Sequence, residues 1–241
     1  MRVSRIFLQA KLADHFNQQT SVPVATDRAH YIRNVLRLSA GDPVVCFDGH
    51  GGEYTGNIET LSKRGVSVNL GDFVSEDRVP NVALALGLCI IKRDAMDMAI
   101  QKATELGAQE IYPLISERVS VAKKQFTDRI SHWQNIAISA CEQCGMNRVP
   151  VICEPQSLEQ WGNAATGTKV CGLPGGSLFT QELVAGGKVS VLVGPEGGFS
   201  ADEQALIGRL KFHGIDLGPR ILRAETAAIS LATLVLQTQQ G

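Results

Sequence analysis

The spacing of apolar positions changes near residue 80, and the two spacings predict two kinds of structure. Over residues 1–75 short apolar runs alternate with turn signals: SRIFL, then GDPVVCFDGHGGEYTGNI, then GVSVNLGDFV. Val44–Phe47 and Val66–Leu70 read as strands, and Gly49, Gly51 and Gly52 mark a tight connection between apolar runs. One helical segment interrupts them, Asp27 to Leu38, with Ile32, Val35, Leu36 and Leu38 at helix-compatible spacing. The prediction is a small β-rich barrel. The polar stretch Ser75–Pro80 ends it, which places a domain boundary between residues 75 and 76.

From Val82 onward strands alternate with helices. VALALGLCII is the continuous apolar run of a strand buried on both faces, and QEIYPLI is another strand. Between them KRDAMDMAIQKATELG carries Met96, Ile100, Ala103 and Leu106 on one helical face. Further strands are expected at Lys169–Gly172, Lys188–Val193 and Gly214–Leu217, and helices at Thr127–Cys144, Ala201–Phe212 and Ala224–Gln237. This alternation predicts an α/β domain with a parallel sheet over residues 76–241.

Composition narrows the class without naming a function. A chain of 241 residues with 44% hydrophobic positions can bury one large core or two ordinary ones. No run approaches the roughly 18 apolar residues of a membrane span, and MRVSRIFLQAKLADHF lacks the apolar centre of a signal peptide, so the cytoplasm is the expected address. The six cysteines are expected to be reduced. A formal net charge of −1 argues against coating nucleic acid by bulk electrostatics. Residues 1–40 nevertheless carry Arg2, Arg5, Lys11, Arg28, Arg33 and Arg37 against Asp14 and Asp27, an excess of four positive charges. Such a patch can hold RNA or form a solvated face of mixed charge.

Chemistry is suggested at three expected strand ends, Leu173-Pro174-Gly175-Gly176, Gly194-Pro195-Glu196-Gly197-Gly198 and Gly218-Pro219-Arg220. Open α/β sheets bind ligands outside the carboxyl ends of their strands. The central loop is not a Walker loop, because Phe199 and Ser200 stand where Lys and Ser/Thr are required. Nor do its glycines keep the G-x-G-x-x-G spacing of a dinucleotide fingerprint. Its carboxylate would repel a pyrophosphate yet tolerate a cationic adenosine ligand, and S-adenosylmethionine has a sulfonium and no phosphate. Ser200 and Glu203 form a capping box that fixes the next helix start. Glu196 has two open roles, ligand contact or a bond to neighbouring backbone amides.

The motifs VGPEGGFSADE and LGPRILRAETAAISL resemble those of the SPOUT superfamily of RNA methyltransferases. In particular the chain resembles the bacterial family that methylates N3 of a uridine in 16S ribosomal RNA. Further agreement lies in MRVSRIF, HYIRNVLRLSAGDPVVCFDGHGGEY, IIKRDAMDMAIQKATELGAQEIYPL and SACEQCGMNRVP, so the likeness spans nearly the whole chain. It implies a PUA-like RNA-binding β-barrel domain at residues 1–75 and an α/β methyltransferase domain tied in a trefoil knot at 76–241. One departure stands at Met146, where the family pattern has Arg.

Several residue roles follow from the resemblance. S-adenosylmethionine is expected between the loops, against Leu173, Gly194, Glu196, Gly198, Leu217, Gly218, Ile221, Leu222 and Thr226. Methylating uridine N3 requires its proton to leave and the resulting anion to be stabilised. Arg223 supplies a cation and Glu225 a base or orienting group, with Arg148 the next candidate. RNA contacts are expected from Arg2, Arg5, Arg33 and Arg37, and from Glu142 and Gln143. The substrate is expected to be 16S ribosomal RNA or the small ribosomal subunit, and the chain a homodimer through its C-terminal domain. Cys141-Glu142-Gln143-Cys144 has metal-like spacing, but no second pair or nearby His completes a zinc set, so no metal is expected. An NAD(P)-binding oxidoreductase and a non-catalytic RNA-binding module are the competing readings.

Overall fold

Where the apolar spacing changes, so does the type of sheet. The computed structural model describes residues 3–62, 65–118, 127–184 and 187–237. It divides into two units, Met1–Val79 with Cys141–Val149, and Pro80–Ala140 with Pro150–Gly241.

The first unit runs β1 (Ser4–Phe7), α1 (Leu12–Gln18), β2 (Val22–Pro23), α2 (Thr26–Asn34), β3 (Pro43–Phe47), β4 (Glu53–Ser62) and β5 (Gly65–Val74). Its five strands form one sheet in the order β1-β3-β4-β5-β2, antiparallel except for β1 on β3. One face closes over Ile6, Leu8, Leu12, Val22, Ile32, Val44, Cys46, Ile58, Val66 and Val68. The helix expected through Leu38 stops at Asn34. Leu36 and Leu38, on either side of Arg37 at φ 54°, still pack against this core from beyond the helix end, and Val35 is left exposed. The apolar spacing there therefore records burial rather than helix.

The second unit contains β6 (Ala83–Cys89), α3 (Arg93–Leu106), β7 (Glu110–Ile115), α4 (Thr127–Cys144, whose last turn groups with the first unit), β8 (Val151–Ile152), β9 (Gln156–Ser157), α5 (Leu158–Ala164), β10 (Thr168–Ser177), β11 (Lys188–Val193), α6 (Ala201–Arg209), β12 (His213–Ile215) and α7 (Ala224–Gln237). All its strand pairs are parallel, in the order β12-β10-β11-β6-β7-β8, with β9 also on β7. One cluster buries Leu114, Leu158, Trp161, Cys171, Leu192, Phe199, Ile207 and Phe212. Elsewhere α3 packs against α7, with Met96, Ile100, Ala103, Leu231, Ala232 and Val235 buried. Among the described residues no helix is long and apolar enough to cross a membrane.

The topology locates a crevice. From β6 the chain adds β7 and β8 on one side, and it places β11, β10 and β12 on the other. The direction of winding therefore reverses between β6 and β11. Loops leaving the carboxyl ends of strands on either side of such a reversal diverge, and ligands of open α/β sheets bind in the gap.

Candidate functional site

The glycine loop leaves β11 at this reversal and is held by its own backbone and by neighbouring loops. Gly198 donates its N–H to the Pro195 carbonyl at 2.9 Å, closing a tight turn. Ser200 then caps α6 through the expected box: its hydroxyl accepts from Glu203 N at 3.1 Å, and Glu203 Oε2 accepts from Ser200 N at 2.8 Å. The buried Glu203 carboxylate reaches further, since Oε1 accepts from Glu117 N, just beyond β7, at 3.0 Å. Glu196 Oε1 accepts from Lys92 N at 3.0 Å, which ties the glycine loop to the β6–α3 connection. Of its two open roles, this is the bond to a backbone amide. Arg118 donates to the Gly197 carbonyl from the segment that follows β7.

The first expected loop is not a strand end. Leu173-Pro174-Gly175-Gly176 lies within β10, where the register slips so that Gly172 and Ser177 both stand opposite Ile215. The chain bulges away from β12 and returns to the same neighbour, because proline cannot donate to the ladder and the glycines permit the detour. The third loop follows β12. Asp216 Oδ1 accepts from Gly218 N at 2.8 Å, an Asx turn, and its Oδ2 accepts from Gly175 N at 3.1 Å.

Gly175, Gly198 and Gly218 share a property. Their φ values are 76°, 69° and 101°, and a Cβ on any of them would meet nothing within 4 Å. Backbone conformation rather than crowding requires glycine there, and the space in front of each is open. Nothing in the loops provides the lysine grip of a phosphate site. Leu173, Leu217 and Leu222 are half-buried, Gly194 is half-buried beneath the Phe199 ring, and Ile221 is 96% exposed.

Arg223 and Glu225 stand at the start of α7. The Arg223 carbonyl accepts from Ala227 N, so Arg223 occupies the helix cap position. Its side chain is 86% exposed while that of Glu225 is 12% exposed, with Arg223 Nη1 4.0 Å from Glu225 Oε1. Glu225 thus sits in the first turn, where the helix dipole favours a carboxylate. Thr226 is exposed beside it.

The residues assigned to RNA fall in the first unit, and several are committed elsewhere. Arg2 lies outside the described residues. Arg5 has a side chain only 8% exposed, and it donates to Glu53 Oε2 and to Asn147 Oδ1, both at 2.5 Å, with its guanidinium over the Phe47 ring. Burial pushes the Glu53 carboxyl up, but hydrogen bonds from Arg5 and Asn147 and the charges of Arg5 and Arg78 outweigh it and hold the group below its ordinary value. Glu142 is buried, accepting from Phe7 N at 2.9 Å and from Arg28. These two residues build the unit and leave little charge for a phosphate. Gln143 is exposed, Arg33 donates to the Ser62 carbonyl at 2.5 Å, and Arg37 is exposed. Arg148, also in this unit, donates through Nε to Asp77 at 2.6 Å and keeps a half-exposed side chain. Met146, at the place of the family's arginine, is buried with Phe47 and Cys141, so that position serves packing in this chain.

The structure therefore gathers the expected cofactor residues with Arg223 and Glu225 in the second unit, and Arg148 with the RNA set in the first. Asp216 and Arg118 escaped the sequence reading. An Asx-turn signal, Asp-x-Gly, marked the former, whereas no local pattern marked the latter. No group of three metal-binding side chains occurs among the described residues. Burial pushes the thiols of Cys46, Cys89 and Cys141 up to about 12, which keeps them protonated.

Comparison with known proteins adds independent findings. The family described as RNA methyltransferase domain matches residues 78–236, and the RNA methyltransferase PUA domain matches residues 24–71. The chain is 33% identical to ribosomal RNA small subunit methyltransferase E of Buchnera aphidicola subsp. Schizaphis graminum, over 100% of this chain and 98% of that protein. Among solved structures it is similar to a Legionella pneumophila protein described as a methyltransferase in complex with SAM, with TM-score 0.91, 32% identity, and 98% and 97% of the two chains covered. Ribosomal RNA small subunit methyltransferase E from Neisseria gonorrhoeae, bound to S-adenosyl methionine, superposes with TM-score 0.87 at 28% identity over 96% of each chain.

Proposed function

Because this chain belongs to the RNA methyltransferase family that includes the ribosomal RNA small subunit methyltransferase E proteins, we propose that it methylates 16S ribosomal RNA from S-adenosylmethionine, at N3 of a uridine. The observation that carries the reading is the set of left-handed glycines, Gly175, Gly198 and Gly218, with open space before each, in or just beyond the neighbouring strands β10, β11 and β12. Such a floor suits an adenosine ligand held by backbone groups, and the SAM-bound relatives support that choice.

Bound S-adenosylmethionine supplies a methyl group on a sulfonium, which departs as a neutral thioether when a nucleophile takes the methyl. The chain's own residues must prepare that nucleophile. Arg223, exposed at the cap of α7, stabilises the charge that develops on the uracil as N3 loses its proton. Glu225, 4.0 Å from it, orients the base or accepts the proton. Arg148 is the alternative cation. Leu173, Leu217, Ile221 and Leu222 supply apolar surface to the adenosine, and Gly194 and Thr226 border the same loops. Glu196 acts here by holding the loop, through Lys92 N.

The division of labour assigns RNA binding to residues 1–75 and methyl transfer to residues 76–241. Within residues 1–75 RNA contact is assigned to Arg2, Arg33 and Arg37, joined by Gln143 from the end of α4, whereas Arg5 and Glu142 are held in buried ion pairs. Family likeness supports a trefoil knot in the second domain, a homodimer formed through it, and work on ribosomal RNA in the cytoplasm. Calorimetric titration of the full chain tests the cofactor assignment: saturable heat with S-adenosylmethionine and none with NADH is expected. Binding of NADH alone would move the chain to oxidoreductase chemistry.

A further inference from the structure

Asp216 joins two of the three loops that border the open floor. Its Oδ1 accepts from Gly218 N at 2.8 Å within its own turn, whereas Oδ2 crosses to Gly175 N at 3.1 Å in the bulge of β10. Its own N–H donates to the Ser177 carbonyl at 2.9 Å. The cross-loop bond matters because the ladder gives no support there. Gly172 and Ser177 share one partner, Ile215, so residues 173–176 lie outside the regular β10–β12 pairing. At the base of the bulge the backbones press together: a Cβ on Gly176 would lie 2.6 Å from the Gly214 carbonyl. A side chain that spans the loops must therefore come from their ends, and Asp216 does. Both amides it holds belong to left-handed glycines whose outer faces are open.

Resting on the reading of these loops as the S-adenosylmethionine site, we propose that Asp216 is a positioning residue that sets the separation of the 173–176 and 217–222 loops. It holds them in the binding geometry before the cofactor arrives. A carboxylate suits the task because it offers two acceptor oxygens to two amides and has no donor to oppose them. An ordered pair of loops binds without first losing its own freedom, so the residue acts on cofactor affinity and not on the chemical step.

Asp216→Asn and Asp216→Ser test this with the full chain. Asn keeps one oxygen for Gly218 N but turns an NH₂ toward Gly175 N, donor against donor. Ser is too short to cross but still able to close the local turn. In both variants the KM for S-adenosylmethionine should rise about tenfold, as expected from losing one charge-assisted bond. The rate at saturating cofactor should stay within about twofold of the parent. Calorimetric affinity should fall by the same factor as KM rises. Parental affinity in both variants, in a parent that binds S-adenosylmethionine, overturns the positioning role and leaves the functional reading intact. A loss in kcat equal to the loss in affinity, with a lowered unfolding temperature, also overturns it, because a purely structural residue behaves that way. A parent that binds no S-adenosylmethionine overturns the functional reading and this inference together.

Discussion

The two units use their polar residues in opposite ways. In the first, cations and anions are consumed by one another: Arg5 with Glu53 and Asn147, Arg28 with Glu142, Arg148 with Asp77. In the second, the carboxylates of Glu196 and Asp216 accept from backbone amides of the loops, and Arg223, which follows the third loop, keeps its side chain 86% exposed. Positive charge counted along a sequence is therefore a poor measure of charge offered to a partner. The basic N-terminal segment is in part an internal scaffold, and the region of lower charge density holds the better candidate for chemistry.

The contrast can be broken at several points. Its largest expected effect is on stability: Arg5→Ala removes the nearer of two arginines from the part-buried Glu53 carboxylate, leaving Arg78 at 3.3 Å, and should cost about 2 kcal/mol in urea unfolding. A cost below about 0.5 kcal/mol would return Arg5 to the pool of surface cations. The same pair predicts a pH dependence. Glu53 is held below its ordinary value near 4.5, so its stabilisation is complete above that value and is lost as pH falls through the lower folded value. In Glu53→Gln this acid-side loss should shrink, which unfolding curves at pH 3 to 7, roughly the range that links the two states, will show.

In the second unit the largest effect should be kinetic. Arg223→Lys keeps the charge but loses the planar fork of donors, and single-turnover methyl transfer should slow on the order of 10²-fold while S-adenosylmethionine affinity changes little. A parental rate with weaker RNA binding would make Arg223 a phosphate anchor and pass the catalytic role to Arg148. A smaller effect is expected at Gly198, whose φ is 69°. Valine there would strain the backbone by about 1–2 kcal/mol as well as fill the floor, so it confounds folding with binding. Asparagine tolerates the left-handed conformation, and Gly198→Asn should weaken S-adenosylmethionine binding about tenfold with little change in unfolding temperature. Smallest is Arg37→Ala, which should flatten the log–log salt dependence of RNA binding by roughly 0.7–0.9, the share of one phosphate contact. An unchanged slope would remove Arg37 from the interface.

Long amphipathic periods were legible in the sequence. The helices over Thr127–Cys144 and Ala224–Gln237 were readable because many apolar positions repeat at one period, and the strand over Lys188–Val193 because it is a short, mostly apolar run followed by glycine and proline. Short elements were not: α1 and α5 span seven residues each, too few for a period to emerge. The capping box of α5, Ser157 with Gln160, was the one local signal available. The overextended α2 shows a different limit, since Leu36 and Leu38 pack against the core from either side of the left-handed Arg37, beyond the helix end.

At the site, the glycine loop and the Arg223–Glu225 pair stood out because their motifs are contiguous. Asp216 did not reveal its second bond, 41 residues back to Gly175. Nor could the chain reveal that Arg5 pairs with Glu53, 48 residues on, and with Asn147, 142 residues on. Long-range pairing is what decides whether a charge is free, and it is set by topology rather than local pattern.

The most direct test of the proposed reaction is nucleoside mass spectrometry after one turnover with methyl-labelled S-adenosylmethionine. The RNA should be presented both as naked 16S ribosomal RNA and as small subunits that lack the modification. The account predicts label in a single nucleoside, 3-methyluridine, with Arg223→Lys forming the same product on the order of 10²-fold more slowly. Label in another nucleoside, or at a carbon of uracil instead of N3, would contradict it.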